Sequence, residues 1–126
     1  MQTRNIALIA HDEKKDLLSD WVTKHAELLL PHTIYCTATT GGVIKDAGLN
    51  LNLTLMKSGP LGGDQQIGAM IADEKIDLLI FFTDPLSPHP HDVDVKALAR
   101  LATVYDLPMA CSPATADLIA KSGFLE

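Results

Sequence analysis

Two short and almost wholly apolar runs constrain the fold of this sequence more than any other feature. Residues 6–10 read Ile-Ala-Leu-Ile-Ala, and residues 76–82 read Ile-Asp-Leu-Leu-Ile-Phe-Phe. Continuous apolar runs of this length are typical of strands that are buried on both faces of a parallel sheet. Weaker strand signals at residues 34–38, 53–56 and 108–111 bring the predicted number of strands to five.

Helical patterns separate the predicted strands, and this alternation indicates the fold class. Strands that alternate with helices favour a parallel sheet. We therefore predict one α/β domain over residues 1–126, with a doubly wound, mostly parallel five-stranded sheet and helices on both faces. The helical patterns lie before Pro31, after Gly42 to about residue 47, from residue 64 to about residue 73, over residues 95–105, and after Ser112-Pro113.

Polar segments follow the predicted strands, and we expect them to meet at one edge of the sheet. In open parallel sheets, ligands bind at the carboxyl ends of the strands. Side chains that are far apart in the sequence can therefore form a single site. The segments that follow the strands are His11-Asp12, residues 37–41, residues 58–64, Asp84 and residues 111–113.

The segment between the third strand and its helix is rich in glycine. It reads Ser58-Gly59-Pro60-Leu61-Gly62-Gly63-Asp64 and leads into a helix start. Glycine allows the backbone to approach a ligand closely, and a helix N-terminus offers unpaired N–H groups to an anion. The alternative is that the glycines form a tight turn and Asp64 is only the helix N-cap.

Three groups of side chains at this edge predict different chemistry. Hydroxyls and amides near one lysine suit a phosphate, although the threonines could instead cap a helix. Carboxylates in one cleft raise each other's pKa and suit a base for a C–H next to a carbonyl, although some could only hold loops. A histidine on a proline-stiffened loop suits proton transfer or polarisation of a carbonyl. The candidate phosphate-binding groups are Lys15, Thr37, Thr39, Thr40, Ser58 and the N–H groups of Gly41 and Gly59. The carboxylates are Asp12, Asp64, Asp84, Asp92 and Asp94, with Asp64 as the candidate base. The histidines are His11, His89 and His91.

Composition and motifs argue against several other classes of protein. The net charge is −6 and there is no basic stripe, so nucleic acid is not an expected partner. No apolar run approaches the roughly 20 residues of a membrane span, and the first residues show no signal-peptide pattern, so a cytoplasmic location is expected. Cys36 and Cys111 are isolated and predict no disulfide framework, and we expect His25 and His32 at the surface. The sequence contains no G-x-S-x-G, Walker A or G-x-G-x-x-G motif.

Five segments of the chain occur in a specific order. They are Ala10-His11-Asp12 with Lys15, Thr37-Ala38-Thr39-Thr40-Gly41, Ser58-Gly59-Pro60-Leu61-Gly62-Gly63-Asp64-Gln65-Gln66, Phe82-Thr83-Asp84-Pro85-Leu86, and Pro90-His91-Asp92-Val93-Asp94-Val95-Lys96-Ala97-Leu98. Together they resemble the methylglyoxal synthase family, and the resemblance extends from residue 6 to about residue 117. The glycine-rich segment and the segment around His91 are the most diagnostic.

The resemblance implies an activity and a set of roles. The family converts dihydroxyacetone phosphate to methylglyoxal and inorganic phosphate, through an enediolate and elimination of phosphate, without a metal or an organic cofactor. It is usually a homohexamer, and inorganic phosphate often inhibits it. By resemblance, Asp64 is the catalytic base and His91 is the catalytic histidine, while Asp84 and Asp94 are further active-site carboxylates. His11 and Asp12 line the same pocket by resemblance. The residues that the resemblance assigns to the substrate phosphate are Lys15, Thr37, Thr39, Thr40, Ser58 and Gly59.

The sequence departs from the family pattern in two places. Many members continue into a longer C-terminal segment with an arginine that reaches a phosphate site. This sequence ends at Glu126 and has only Arg4 and Arg100, so regulation through that segment is not carried over by the resemblance. Val93 occupies a position that is often proline, which is a minor change.

Three alternatives remain open at this point. The same enediolate could be reprotonated, which would make the protein an isomerase. A non-catalytic phosphate-sensing module would need the anion-binding loop but neither Asp64 nor His91. A metal hydrolase could use His89, His91 and the aspartates, but no third ligand has a recognisable spacing and no H-E-x-x-H or C-x-x-C pattern is present.

Overall fold

The computed structural model of the chain describes residues 3–86 and 92–126. Its strands are β1 (Asn5–Ala10), β2 (Thr33–Cys36), β3 (Asn52–Leu55), β4 (Leu78–Phe82) and β5 (Met109–Ala110). They form one sheet in the order β3-β2-β1-β4-β5, and every pairing is parallel. The prediction of a five-stranded, doubly wound sheet is therefore confirmed, with a sheet that is wholly rather than mostly parallel.

Helices connect the strands in the predicted alternation. They are α1 (Lys15–Lys24), α2 (Ala26–Leu29), α3 (Ala38–Asp46), α4 (Gly63–Ala72), α5 (Asp92–Val104) and α6 (Pro113–Lys121). Two 3₁₀ turns, Asp12–Lys14 and Gly59–Leu61, precede α1 and α4. Within the described ranges, none of these helices has the length and apolar character needed to cross a membrane.

Alternate residues of the central strand pack against helices on opposite faces of the sheet. Ile6 and Leu8 belong to a buried cluster with α1, α3 and α6. Ala7 and Ile9 belong to a second cluster with α4 and α5. Because successive strand side chains point to opposite faces, a strand that is covered on both sides must be apolar throughout. This is why the run at residues 6–10 predicted its environment correctly.

The order of the strands places a crevice beside β1. The chain passes from β1 to β2 and β3 on one side, and then to β4 and β5 on the other. Ala10 pairs with Phe82, so β1 and β4 end at the same level of the sheet. The connections that leave these two strands diverge, and such a switch point is where ligands bind in open α/β sheets.

All five strands differ from their predicted bounds by one or two residues, and α3 begins at Ala38 rather than after Gly42. Two of the differences in the strands have local reasons. The second strand ends at Cys36 rather than residue 38, because Thr37 is the N-cap of α3 and the helix begins at once. The fifth strand shortens to Met109–Ala110. Pro108 has no N–H to donate, although its carbonyl accepts a hydrogen bond from the Leu79 N–H at 3.0 Å.

The prediction that His25 and His32 lie at the surface was wrong. His32 is fully buried, and its Nδ1 accepts a hydrogen bond from the Arg4 N–H at 2.9 Å. Its Nε2 therefore carries the proton and donates to the Leu125 carbonyl at 2.8 Å. These contacts join β1, β2 and the C-terminal segment, and no local pattern reveals partners so distant in sequence.

His25 is partly buried for a similar reason. Its ring packs on the Trp21 indole at 5.0 Å between centroids, and its Nε2 contacts Asp117 Oδ1 at 3.0 Å. This hydrogen bond holds the pKa of Asp117 below its usual value, and Lys24 contributes in the same direction. These contacts connect α6 to α1 and its C-cap.

Candidate active site

A small cavity of about 110 Å³ lies at the carboxyl ends of β1 and β2. The 3₁₀ turn before α4 and the first turn of that helix close one side of it. The expectation that separate polar segments meet at one edge is thus confirmed for the segments after β1, β2 and β3. The predicted site residues that line the cavity are His11, Asp12, Lys15, Thr37, Thr39, Gly59 and Asp64.

The geometry of the glycine-rich segment brings α4 to this edge. The Ser58 carbonyl accepts hydrogen bonds from the N–H groups of Leu61 at 3.0 Å and Gly63 at 2.9 Å. Gly62 has φ of 103°, a backbone conformation that a side chain would strain. A Cβ on Gly63 would lie 1.9 Å from the Lys57 carbonyl oxygen. The loop therefore requires glycine at both positions.

Asp64 is buried at the second position of α4, with 6% of its surface exposed. Gly62 occupies the N-cap position, so the alternative in which Asp64 is the N-cap was wrong. A Cβ on Gly59 would approach Asp64 Oδ1 to 3.4 Å, so the loop backbone passes close to the carboxylate. A helix N-terminus favours negative charge, and the fold thus holds a buried carboxylate at the cavity wall.

Lys15 supplies a positive charge to the same cavity. Its Nζ donates to the Ala10 carbonyl at 3.1 Å and to the Asp12 carboxylate. Only 13% of the lysine side chain is exposed, which keeps the ammonium next to the cavity. Fixed donors around one cation form an environment that suits a phosphate.

The threonines of the 37–40 segment differ in position. The Thr37 hydroxyl donates to Thr40 Oγ1 at 3.1 Å, and the Ala10 N–H contacts the same oxygen at 3.4 Å. Thr37 and Thr39 line the cavity, whereas Thr40 joins β1 to α3 behind it. The Gly41 N–H donates to the Thr37 carbonyl at 2.9 Å, so this predicted anion donor is used within α3.

His11 is buried, and a backbone group fixes its tautomer. Its Nδ1 accepts a hydrogen bond from the Asp84 N–H at 2.9 Å, so the neutral ring carries its proton on Nε2. The ring meets Phe81 edge-on, with 5.1 Å between centroids. His11 is therefore held as a neutral N–H donor at the cavity wall.

We expect His11→Ala to lower the free energy of unfolding by about 1–3 kcal/mol, because the buried Asp84 N–H loses this acceptor. In His11→Asn the side-chain oxygen can replace Nδ1, so this variant should recover part of the loss. Urea unfolding of the three proteins measures the difference. Equal stability of the alanine variant and the wild type would show that this hydrogen bond does not hold the loop after β4.

Asp84 and Asp94 lie near the cavity but do not line it. Asp84 is buried, and its Oδ1 accepts a hydrogen bond from the Leu86 N–H at 3.3 Å in the turn after β4. Asp94 Oδ1 accepts from Gln65 Nε2 at 2.7 Å, which connects α5 to the first turn of α4. Asp94 lines a second groove, of about 320 Å³, which Asp64 also lines.

Several predicted residues fall elsewhere. Ser58 is the N-cap of the 3₁₀ turn before α4 and is not among the described residues that line the cavity. His89 and His91 lie outside the described residues. In the described parts of the chain, no group of three or more histidine, cysteine, aspartate or glutamate side chains is arranged to hold a metal ion.

Sequence reasoning missed two residues that shape the site. Phe81 lines the cavity and packs against His11, and Gln65 holds Asp94. Phe81 lies next to the end of the strongest predicted strand, on the face that α4 and α5 cover. A count of which face each strand residue occupies could have found Phe81, whereas nothing local predicts the partner of Gln65.

The two cysteines have raised pKa values and are not activated nucleophiles. Burial raises the pKa of Cys36 to about 11, and nearby Lys45 only partly opposes the effect. Burial also raises the pKa of Cys111. A reactive cysteine requires a lowered pKa, so the carboxylate and histidine side chains remain the reactive candidates.

Comparisons with known proteins agree with this description. The family model for the MGS-like domain matches residues 17–111. Methylglyoxal synthase from Agrobacterium fabrum is 61% identical over 90% of this chain and 90% of its own length. The Oleidesulfovibrio alaskensis methylglyoxal synthase is 52% identical over 97% of this chain and 83% of its own length. A crystal structure of methylglyoxal synthase from Elizabethkingia anophelis superposes with a TM-score of 0.91 at 53% identity, covering 98% of this chain and 81% of that one.

The parallel sheet, the cavity at its edge and the domain match define an α/β enzyme of the MGS-like class. Within that class, the relatives and the solved structure are all methylglyoxal synthases, and the identities of 52–61% extend over nearly the whole chain. The chain belongs to the methylglyoxal synthase family, and its activity is that of a lyase. The phosphate-sensing module considered above is therefore not the function of this chain.

Proposed function

We propose that the protein converts dihydroxyacetone phosphate to methylglyoxal and inorganic phosphate. The observation that carries this proposal is the buried Asp64 carboxylate in the wall of a cavity that also contains Lys15. A base beside a phosphate-type site is what the first step of this reaction requires. Relatives named methylglyoxal synthase support the choice of substrate.

The substrate phosphate is held by the cation and hydroxyl side of the cavity. Lys15 and Thr39 supply donors from α1 and the start of α3, with the backbone at Gly59 opposite them, and the Thr37 hydroxyl joins them by turning its O–H from Thr40 to the phosphate. Ser58 supports the turn that carries Gly59. Binding the phosphate here positions the three-carbon chain against Asp64, so that proton transfer occurs within one complex.

Asp64 then removes a proton from the hydroxymethyl carbon of the substrate. The C–H electron pair forms the carbon–carbon double bond of an enediolate, and negative charge develops on the carbonyl oxygen. His91 and the neutral His11 Nε2–H donate hydrogen bonds to the substrate oxygens, which lowers the energy of the charged intermediate. The backbone N–H of Asp84 donates to His11 Nδ1 and so orients the ring. Asp94 accepts a hydrogen bond from Gln65 and so stabilises the first turn of α4.

Elimination completes the reaction. The hydroxyl on the deprotonated carbon gives up its proton and becomes the aldehyde, the carbon–carbon double bond shifts to the phosphate-bearing carbon, and phosphate leaves with the electron pair of its C–O bond. The remaining enolate takes a proton on its terminal carbon and becomes methylglyoxal. A C–O bond roughly perpendicular to the enediolate plane favours this outcome, whereas an isomerase holds the phosphate in that plane. No metal or organic cofactor takes part in these steps.

The resemblance to the family supports three further parts of the proposal. The protein assembles as a homohexamer, acts in the cytoplasm, and is inhibited by its product, inorganic phosphate. Neither nucleic acid nor a membrane is a partner.

Incubation of the purified protein with dihydroxyacetone phosphate tests the activity. We expect methylglyoxal and inorganic phosphate in equal amounts, at a rate that a chelator does not change. Formation of glyceraldehyde 3-phosphate without phosphate release would instead indicate an isomerase. Loss of activity with the chelator, restored by added metal, would favour the hydrolase alternative.

A further inference from the structure

Asp12 and Lys15 form an ion pair at the rim of the cavity. Asp12 Oδ1 accepts a hydrogen bond from Lys15 Nζ, and the two residues are three positions apart across the start of α1. The exposures of the two side chains differ greatly, at 89% for the aspartate and 13% for the lysine. The carboxylate therefore reaches the ammonium from the solvent side, while the lysine remains in the wall.

The ion pair changes the charge that the cavity offers to an anion. Lys15 is the only lysine or arginine among the described residues that line the cavity. Two carboxylates, Asp12 and Asp64, line it as well. A lysine ammonium has three N–H bonds, and the Ala10 carbonyl and Asp12 accept two of them. A phosphate dianion must therefore share Lys15 with a competing carboxylate.

We propose that Asp12 is a positioning residue that acts through Lys15 and weakens the binding of phosphate dianions. It holds Lys15 at the rim in the empty site and opposes the charge of the bound anion. Binding becomes weak enough for the product phosphate to leave. The inference rests on the proposed function, because it takes a phosphate dianion as the ligand of this cavity.

If Asp12 served mainly to stabilise the fold, Asp12→Asn would lower the free energy of unfolding instead of changing anion binding. An ion pair whose carboxylate is almost fully exposed to solvent contributes little to stability. Asp12→Asn should therefore fold as the wild type does and retain a side chain that can contact Lys15. The removed negative charge lies close to the bound phosphate, so its effect should appear in anion binding.

Calorimetric titration with inorganic phosphate tests the proposal. We expect Asp12→Asn to lower the Kd for phosphate by about fivefold or more, and to lower the KM for dihydroxyacetone phosphate in parallel without raising kcat. Asp16→Asn removes the same charge from an exposed position next to Lys15 and is the matched control. Its Kd should stay within about twofold of the wild-type value, because solvent screens a carboxylate that does not contact the ammonium.

A double variant separates the ion pair from a general charge effect. In a Lys15→Met background, Asp12→Asn should change phosphate binding far less than in the wild type, because the competition for the ammonium is gone. An unchanged or raised Kd in Asp12→Asn would overturn the proposal, and so would an equal effect in both backgrounds.

The same measurements distinguish this inference from the proposed function. Phosphate binding is measured without turnover. If the wild type forms no methylglyoxal but Asp12→Asn binds phosphate more tightly, the proposed reaction with dihydroxyacetone phosphate fails and the role of Asp12 stands. If the wild type is active and Asp12→Asn binds phosphate as the wild type does, only the role of Asp12 fails.

Discussion

Replacing Asp64 with asparagine is expected to lower kcat by about a thousandfold or more and to leave the fold intact. Asparagine has nearly the same size, so the buried site at the second position of α4 is still filled. Its amide cannot accept a proton from carbon, so formation of the enediolate loses its base. Binding of inorganic phosphate should persist or tighten, because a negative charge leaves the cavity that contains Lys15.

Steady-state kinetics and phosphate titration of Asp64→Asn check both parts of this expectation. Asp73→Asn is the matched control, since Asp73 is exposed at the other end of the same helix. This variant should retain wild-type kcat and KM. A rate for Asp64→Asn within about tenfold of the wild type, or about 1.4 kcal/mol of barrier, would show that Asp64 is not the base.

Gly63→Ala should destabilise the protein by about 2–4 kcal/mol and remove most of its activity. The added Cβ would lie 1.9 Å from the Lys57 carbonyl oxygen and 3.0 Å from the Ser58 carbonyl carbon. These are backbone atoms, so the clash is relieved only if the loop or the first turn of α4 moves. Asp64 is the next residue, so this movement would also displace the proposed base.

Gly42→Ala provides the comparison for this variant. Gly42 lies inside α3, and a Cβ there meets no atom within 4 Å. Alanine is the better helix former, so this variant should be as stable as the wild type or more stable by up to about 1 kcal/mol. Thermal or urea unfolding, with kcat measured on the same samples, gives both quantities. Equal stability of the two variants would mean that close packing at Gly63 does not constrain the loop.

Much of the fold could be predicted from the sequence because its strongest signals are local. The apolar runs at residues 6–10 and 76–82 predicted strands that are covered on both faces. Pro113 predicted the start of α6, since proline is favourable in the first turn of a helix. The bounds of β2 and β5 were predicted less accurately. The start of α3 sets the end of β2, and β5 begins after Pro108, which has no N–H to donate.

The site could be predicted less completely, because its geometry depends on contacts between distant segments. The glycine-rich segment indicated a backbone that can approach a ligand closely, and the structure shows that Gly59 lines the cavity and lies close to Asp64. The sequence could not show that the Asp84 N–H fixes the tautomer of His11, 73 residues away. It also could not show that Thr40 supports Thr37 from behind the cavity.

His32 shows the same limit in the core. A histidine after Pro31, at the exit of a helix, has the sequence context of a surface residue. It is instead fully buried, because Arg4 and Leu125 supply one donor and one acceptor at opposite ends of its ring. Burial of a polar side chain is tolerated when its hydrogen bonds are satisfied, and here the partners come from both ends of the chain.

A crystal structure with a bound hydroxamate analogue of the enediolate tests the central claim most directly. The hydroxamate nitrogen stands for the carbon that loses its proton. The account predicts an Asp64 carboxylate oxygen within about 3.5 Å of that nitrogen, with the phosphate of the analogue on Lys15. An analogue bound with its phosphate on Lys15 but with its hydroxamate out of contact with Asp64 would contradict the account.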